Sequence, residues 1–314
     1  MTKLPSRTIL ISGSTGFVGG NLLRNVEDKG FNILTLNKQK VHNGICWDHS
    51  PLVPEGVEIV VHLAGKAHDT SYRSLEEEYM AVNMELTKIL YDSFLKSSAR
   101  KFVFLSSVKA ATDKLKEDQI LTENNHQIPG SPYGRSKLAA EEYILKNLPD
   151  SKMKQIYILR PAMIHGPGNK GNLNLLYRFV MLGIPWPLGA YENKRSFCSL
   201  DNLLHVLNEI FLRNDITPGT YNVVDDIPLS TNRIIEIIAA CEAKNIRILY
   251  IPKLLIKYLA HSSQFIGFHL LSSRITKLTE NYVVSNVKLT CALGHKLPID
   301  AEEGMLKTIN SFKK

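Results

Sequence analysis

Tyr133 and Lys137 stand four residues apart in the run Ser131-Pro132-Tyr133-Gly134-Arg135-Ser136-Lys137. On a helix that spacing puts a phenol and an ammonium on one face, with their Cβ atoms about 6 Å apart. A phenol with a pKa near ~10 moves protons poorly at neutral pH, but a neighbouring cation favours its ionised form and draws it toward the working range of a general acid or base. Such catalysis contributes roughly 100- to 10,000-fold in rate. Helices also carry Tyr and Lys at this spacing by chance, so the pair gains weight only from its surroundings. Upstream, the apolar run Phe102-Val103-Phe104-Leu105 closes on Ser106-Ser107. A hydroxyl at the end of a strand can hydrogen-bond the substrate oxygen that the phenol serves.

The second chemical signal is Gly13-Ser14-Thr15-Gly16-Phe17-Val18-Gly19, preceded by the apolar stretch 8–12 and followed by Leu22, Leu23 and Val26 at helical spacing. Strand, glycine loop and helix together suit a dinucleotide. The glycines let the backbone turn and approach a pyrophosphate, and the helix N-terminus offers unpaired N–H groups. The spacing is Gly-x-x-Gly-x-x-Gly rather than Gly-x-Gly-x-x-Gly. About 20 residues on, where a carboxylate usually meets the ribose hydroxyls, the chain has Asn37-Lys38, with Lys40 beyond. With no acid to repel a 2′-phosphate, NAD and NADP both remain open. Asp48, after Trp47, is a candidate partner for the adenine amino group.

The elements that must position these residues alternate regularly. Strands are expected at 8–12, 32–36, 57–63, 102–105 and 155–159, with helices after 17, from Leu75 to Leu95 and from Tyr133 onward. This rhythm predicts a doubly wound parallel sheet covered on both faces. The strand 57–63 ends in Leu63-Ala64-Gly65, small enough for backbone to lie against a cofactor. Asn83 is a candidate to brace the neighbouring strand, and neither His62 nor His68 is assigned a role. The stretch 110–130 is polar and aperiodic, a loop over the cleft. Beyond Pro167 the texture becomes Gly/Pro-broken and irregular. The expected division is a dinucleotide-binding domain at 1–165, with a returning strand near 220–225, and a smaller mixed substrate domain at 166–314.

Composition narrows the class. At 314 residues and 44% hydrophobic the chain has ample core material, and no apolar run is long enough to span a bilayer. An early first strand leaves little room for a secretion signal, so a cytoplasmic location is expected. Four scattered cysteines without a Cys-x-x-Cys favour neither zinc nor disulfides. The net charge of +8 comes without a stripe of interleaved cations and aromatics, which argues against nucleic acid and suits a polyanionic small substrate. Cations scattered through 254–278 indicate a domain helix rather than membrane contact.

These motifs in this order resemble the extended short-chain dehydrogenase/reductases, specifically the NAD-dependent epimerase/dehydratase family acting on nucleotide sugars. The match covers the Gly13/Gly16/Gly19 loop, His62-Leu63-Ala64-Gly65, Leu105-Ser106-Ser107, Tyr133-x-x-x-Lys137, Leu159-Arg160-Pro161, His165-Gly166-Pro167-Gly168, and Arg195-Ser196-Phe197 before Asp201. The resemblance implies a Rossmann fold, with Tyr133 moving the proton, Lys137 holding the nicotinamide ribose and lowering the tyrosine's pKa, and Ser107 orienting the sugar oxygen. It also implies cofactor contacts from Gly13, Thr15, Gly16, Phe17, Val18, Gly19, Leu63, Ala64, Gly65 and Pro161. Asn172 and Arg195 would bind the nucleotide diphosphate, with Arg274 a further candidate. Where the dehydratase branch carries Thr-Asp-Glu this chain has Ser107-Val108-Lys109, which removes the acid-base pair that eliminates water. The expectation is therefore a UDP-hexose or UDP-N-acetylhexosamine 4-epimerase in surface-polysaccharide synthesis, with a homodimer formed through the helices near Leu75 and Tyr133. Two alternatives stay open: an NADPH-dependent 4-ketoreductase, and a dinucleotide-binding regulator without catalysis.

Overall fold

The computed structural model describes the chain except for residues 1–6, 28, 39–43, 49–51, 67–74, 117, 126, 152, 170, 172, 257, 259–274 and 314. Its centre is a seven-stranded parallel sheet built from β1 (Thr8–Ser12), β2 (Asn32–Asn37), β3 (Gly44–Cys46), β4 (Val57–His62), β5 (Lys101–Leu105), β7 (Gln155–Pro161) and β10 (Gly219–Val223). The spatial order β10-β7-β5-β4-β1-β2-β3 reverses direction at β1. A ligand crevice opens outside the carboxyl ends of the strands at such a reversal. The edge strand β3 is too short to announce itself in the sequence, whereas the returning strand expected near 220–225 is β10.

Both faces are covered because the strands present apolar side chains alternately to each side. Ile9 and Ile11 of β1 join a core with α1 (Phe17–Glu27) and α6 (Leu200–Leu212). Leu10 joins the opposite core with α3 (Leu86–Lys96) and α4 (Pro132–Lys146). The helix expected from Leu75 to Leu95 is interrupted. A short α2 (Glu76–Tyr79) passes into a π-helical turn at Met80–Glu85 before α3 begins. The wider turn carries Asn83 inward, fully buried, where its side chain bonds the chain after β4 and Ser136 of α4. Interruptions of this kind concentrate at functional sites.

The polar stretch 110–130 is mostly irregular, as expected, but is pinned. Its β6 (Ile120–Leu121) pairs with β11 (Val283–Val284) near the C-terminus. A third small sheet joins β8 (Met163–His165) to β9 (Phe197–Ser199). The remaining helices α5 (Leu173–Met181), α7 (Thr231–Cys241) and α9 (Ala301–Asn310) share a separate apolar core, while α8 (Val287–Leu293) packs under β10. All four cysteines are free. Among the described residues no helix is long and apolar enough to cross a membrane.

Candidate active site

The glycine loop sits at the carboxyl end of β1. Gly13 has φ +74° and lies so close to the β4 exit that a Cβ there would stand 2.5 Å from the Ala64 backbone nitrogen. A Cβ on Gly19 would collide with the Gly13 carbonyl oxygen. These two glycines are demanded by the fold itself. Gly16 is under a weaker constraint: a Cβ there would press on the Gly13 oxygen at 3.3 Å, a tight contact that a backbone shift of a few tenths of an ångström would relieve. Thr15 and Gly16 are exposed over the start of α1, with Val18 and Gly19 buried and Phe17 between. Gly65 is likewise exposed, and a Cβ there would press on Asn83 Oδ1 at 3.0 Å and Lys137 Nζ at 3.2 Å. Gly16 and Gly65 thus keep open a cradle that side chains would fill, which is the shape a dinucleotide's pyrophosphate and ribose need.

A buried hydrogen-bond relay holds the floor of that cradle. Thr87 Oγ1 donates to the Asn83 carbonyl at 2.6 Å, so it must accept from Nε2–H of His62 at 2.9 Å. His62 Nδ1 then accepts from Ser12 Oγ–H at 2.6 Å, and Ser12 Oγ accepts from the Ala64 N–H at 3.3 Å. One neutral tautomer satisfies every partner. Complete burial and, secondarily, the Lys137 cation push the His62 pKa down to about 3. His62 is therefore a brace between β1, β4 and α3, a role that its position in the sequence did not disclose.

Asn37 ends β2, its Oδ1 accepting from Ser14 Oγ at 3.0 Å and its amide donating to Thr35 at 2.8 Å. No carboxylate takes that place. Lys38 and Asp48 are exposed just past β2 and β3, and Trp47 packs edge-on against the His62 ring. Leu63 and Ala64 line the exit of β4, and Pro161 is buried at the end of β7 beside Val223. Lys40, His68, Asn172 and Arg274 lie outside the described residues.

Tyr133 and Lys137 share one face of α4 as the spacing predicts. Pro132 starts the helix, where its missing N–H costs nothing, and Ser131 caps it by accepting from the Gly134 N–H at 3.1 Å. Asp113 in turn holds Ser131 through backbone and hydroxyl at 2.6 and 2.8 Å. This locks the first turn of α4 against the segment that follows Ser107. The Tyr133 hydroxyl is hydrogen-bonded to the Ser107 side chain. Ser106 takes no part in that pair, because its hydroxyl points inward and donates to Glu141. The strand end thus separates the two serines by function.

Lys137 is buried, donates to the Leu105 carbonyl at 2.9 Å and lies 4.9 Å from the Phe104 ring centre. Burial brings its pKa down to about 8, against the pull of Glu141. The expectation that Lys137 lowers the Tyr133 pKa is not met in this state. Burial pushes the phenol up, the bond with Ser107 opposes this, and Tyr79, packed edge-on at 6.1 Å, adds to the rise. The ammonium is turned toward Leu105 rather than spent on the phenol.

Glu141 was not singled out from sequence, although it continues the Tyr133/Lys137 face by one more turn. It pairs with Arg160 through Nε at 3.0 Å and Nη2 at 2.5 Å, both side chains almost wholly buried. The pair clamps α4 onto β7 and so fixes the height of Tyr133 over the strand ends. The available signal was a lone arginine closing the apolar strand that ends at Pro161. Lys109 was also missed as a site residue. It donates to the Asp113 carbonyl at 2.8 Å and lies 4.0 Å from the Tyr282 ring centre, in the field of Arg195, Lys277 and Glu280. Arg195 is carried in by bridges to Leu229 and Tyr282, and donates to the Lys277 carbonyl. The fold thereby gathers three cations beyond Ser107.

A doubly wound sheet with a glycine cradle at its reversal, and a Ser-Tyr-Lys group beside it, defines a dinucleotide-binding oxidoreductase scaffold. The sequence profile of the NAD dependent epimerase/dehydratase family matches residues 9–223. The UDP-glucose 4-epimerase of Vibrio cholerae is 30% identical over 328 residues, covering 99% of this chain and 96% of that protein. An N-acetyl-alpha-D-glucosaminyl-diphospho-ditrans,octacis-undecaprenol 4-epimerase of Escherichia coli O157:H7 is 29% identical over 259 residues, covering 78% and 75%. Among solved structures, a Thermotoga maritima UDP-glucose 4-epimerase with UDP-glucose superposes with a TM-score of 0.72 at 19% identity, covering 98% of each chain. The chain belongs to the NAD dependent epimerase/dehydratase family, enzymes of the short-chain dehydrogenase/reductase type.

Proposed function

We propose that the protein interconverts the C4 epimers of a UDP-hexose or UDP-N-acetylhexosamine. A nicotinamide dinucleotide bound over the Gly16/Gly65 cradle supplies the hydride acceptor and donor. Tyr133 takes the proton from the C4 hydroxyl and later returns it, while Ser107 steers the sugar oxygen toward the phenol. Lys137 binds ribose hydroxyls, and its positive charge favours the phenolate form of Tyr133 that accepts this proton. Arg195, with Lys109 nearby, faces the nucleotide diphosphate, and residues 166–314 supply most of the substrate domain. The observation that carries this reading is the Ser107–Tyr133 hydrogen bond beside the cradle; similarity to the Vibrio cholerae epimerase over nearly the whole chain supports it. Lys109 stands where a dehydratase needs an acid. Self-association through the outer side of α3 and α4, where Ile89 and Leu145 are exposed, gives a homodimer that light scattering can check.

Incubation with UDP-glucose or UDP-N-acetylglucosamine without added reductant should yield the C4 epimer by NMR. Tyr133→Phe should lower turnover roughly 100- to 10,000-fold while bound dinucleotide stays unchanged. Equal turnover in the variant removes the tyrosine from the mechanism. The second reading, an NADPH-consuming 4-ketoreductase, is favoured by one observation: Asn37, not a carboxylate, ends β2. Oxidation of NADPH only in the presence of a 4-keto sugar, with no epimer from UDP-sugars, would establish it instead.

A further inference from the structure

At the other end of the sheet, α6 meets the segment that follows α8. His205 and Glu209 occupy neighbouring turns on one side of α6. Gly294, with φ 80°, terminates α8 and turns the chain so that His295 comes over them. The two imidazole centres are 5.3 Å apart at 67°, and one ligand atom from each of the three residues lies within 4.8 Å of the others.

The hydrogen-bond pattern is incomplete in an informative way. His295 Nδ1 lies 2.9 Å from the Lys296 carbonyl, so that nitrogen carries a proton. Its Nε2 lies 3.4 Å from Glu209 Oε2. In the neutral ring this sets two lone pairs face to face, and a cation must stand between them. A proton would satisfy that contact but not its neighbour: His205 Nε2 is buried without a hydrogen-bond partner among the described residues. A metal ion satisfies all three donors together. Arg213 also donates to Glu209 Oε2, at 3.0 Å, occupying one lone pair of that oxygen and leaving the other for the ion.

We infer that His205, Glu209 and His295 bind a divalent transition-metal ion of the zinc, cobalt or nickel kind, with water completing the coordination. Two imidazoles and one carboxylate are a donor set suited to these ions rather than to calcium or magnesium. The positive charges of Arg213 and Lys29 face the same cluster and hold the affinity to a moderate level. The site is remote from the chemistry. Lys101 Nζ at the start of β5 bonds the carbonyls of Ile210 and Arg213 at 2.7 and 2.5 Å, placing this end of α6 at the amino ends of the strands, whereas Ser107 and Tyr133 stand at the carboxyl ends. The ion would staple the C-terminal segment to the sheet-bearing body.

The test uses the untagged full chain after EDTA treatment and dialysis. Titration with Co2+, followed by visible absorption, and with Zn2+, followed by calorimetry, should show one equivalent bound with a Kd of about 10 µM or tighter. Excess Zn2+ should raise the melting midpoint by roughly 5 °C. His295→Ala, on the exposed member of the set, should weaken binding at least ~100-fold and abolish the melting shift, and His205→Ala should do the same. Turnover of both variants should match that of the native chain. Binding of equal strength in His295→Ala, or no binding at ~100 µM metal, overturns the assignment.

Discussion

Replacing Lys137 by methionine should make the cofactor-free protein more stable at pH 7 while removing its activity. The ammonium is buried, and its pKa falls from the ordinary 10.5 to about 8. At ~1.4 kcal/mol per pH unit, holding the charge costs the folded state about 3 kcal/mol. Methionine fills a similar volume without that charge but abandons the bond to the Leu105 carbonyl, which returns about 1 kcal/mol of the gain. A net increase of about 2 kcal/mol is expected in urea melts at pH 7. The pH dependence provides the stringent check. Below pH 8 folded and unfolded chains both carry the proton, so the penalty is constant. Between about 8 and 10.5 the folded protein has released the proton and the unfolded chain has not, so native stability climbs with pH. The gap between variant and native protein should therefore narrow over that window. A variant less stable at pH 7, or a gap that stays constant up to pH 10.5, would refute the account of Lys137 as a buried charge retained for function.

Three further outcomes follow from the geometry. Gly19→Ala should destabilise the protein, because its Cβ falls on the Gly13 carbonyl, whereas Gly16→Ala, with a tight but smaller encroachment at 3.3 Å, should lower the melting point much less yet weaken dinucleotide binding in a fluorescence titration. Glu141→Ala strands the Arg160 guanidinium in the core and should cost about 3–5 kcal/mol in urea melts, most of which Glu141→Leu with Arg160→Met restores. His62 is neutral in the fold, with a pKa near 3 against 6.5 in the unfolded chain, so the unfolded state binds the additional proton and stability falls as pH drops from 6.5 toward 3. His62→Gln should flatten that acid limb, and an unchanged slope would exclude His62 as its source.

Much of the site was legible in the chain because its parts are local. Gly13, Gly16 and Gly19 sit between one strand and one helix, and Tyr133 and Lys137 on a single helix face, so spacing alone places them. The strand-helix alternation likewise determined the doubly wound sheet, since a parallel pair needs a covering crossover. What only tertiary structure decided involves partners far apart in sequence. Which serine meets Tyr133 depends on Glu141 claiming Ser106. The height of α4 depends on Arg160, and the inward turn at Asn83 on Lys66 and Ser136. Arg195 reaches the cleft only through bridges to Leu229 and Tyr282. The downward shift of Lys137 arises from burial, a property of the packed protein to which no residue type or spacing corresponds.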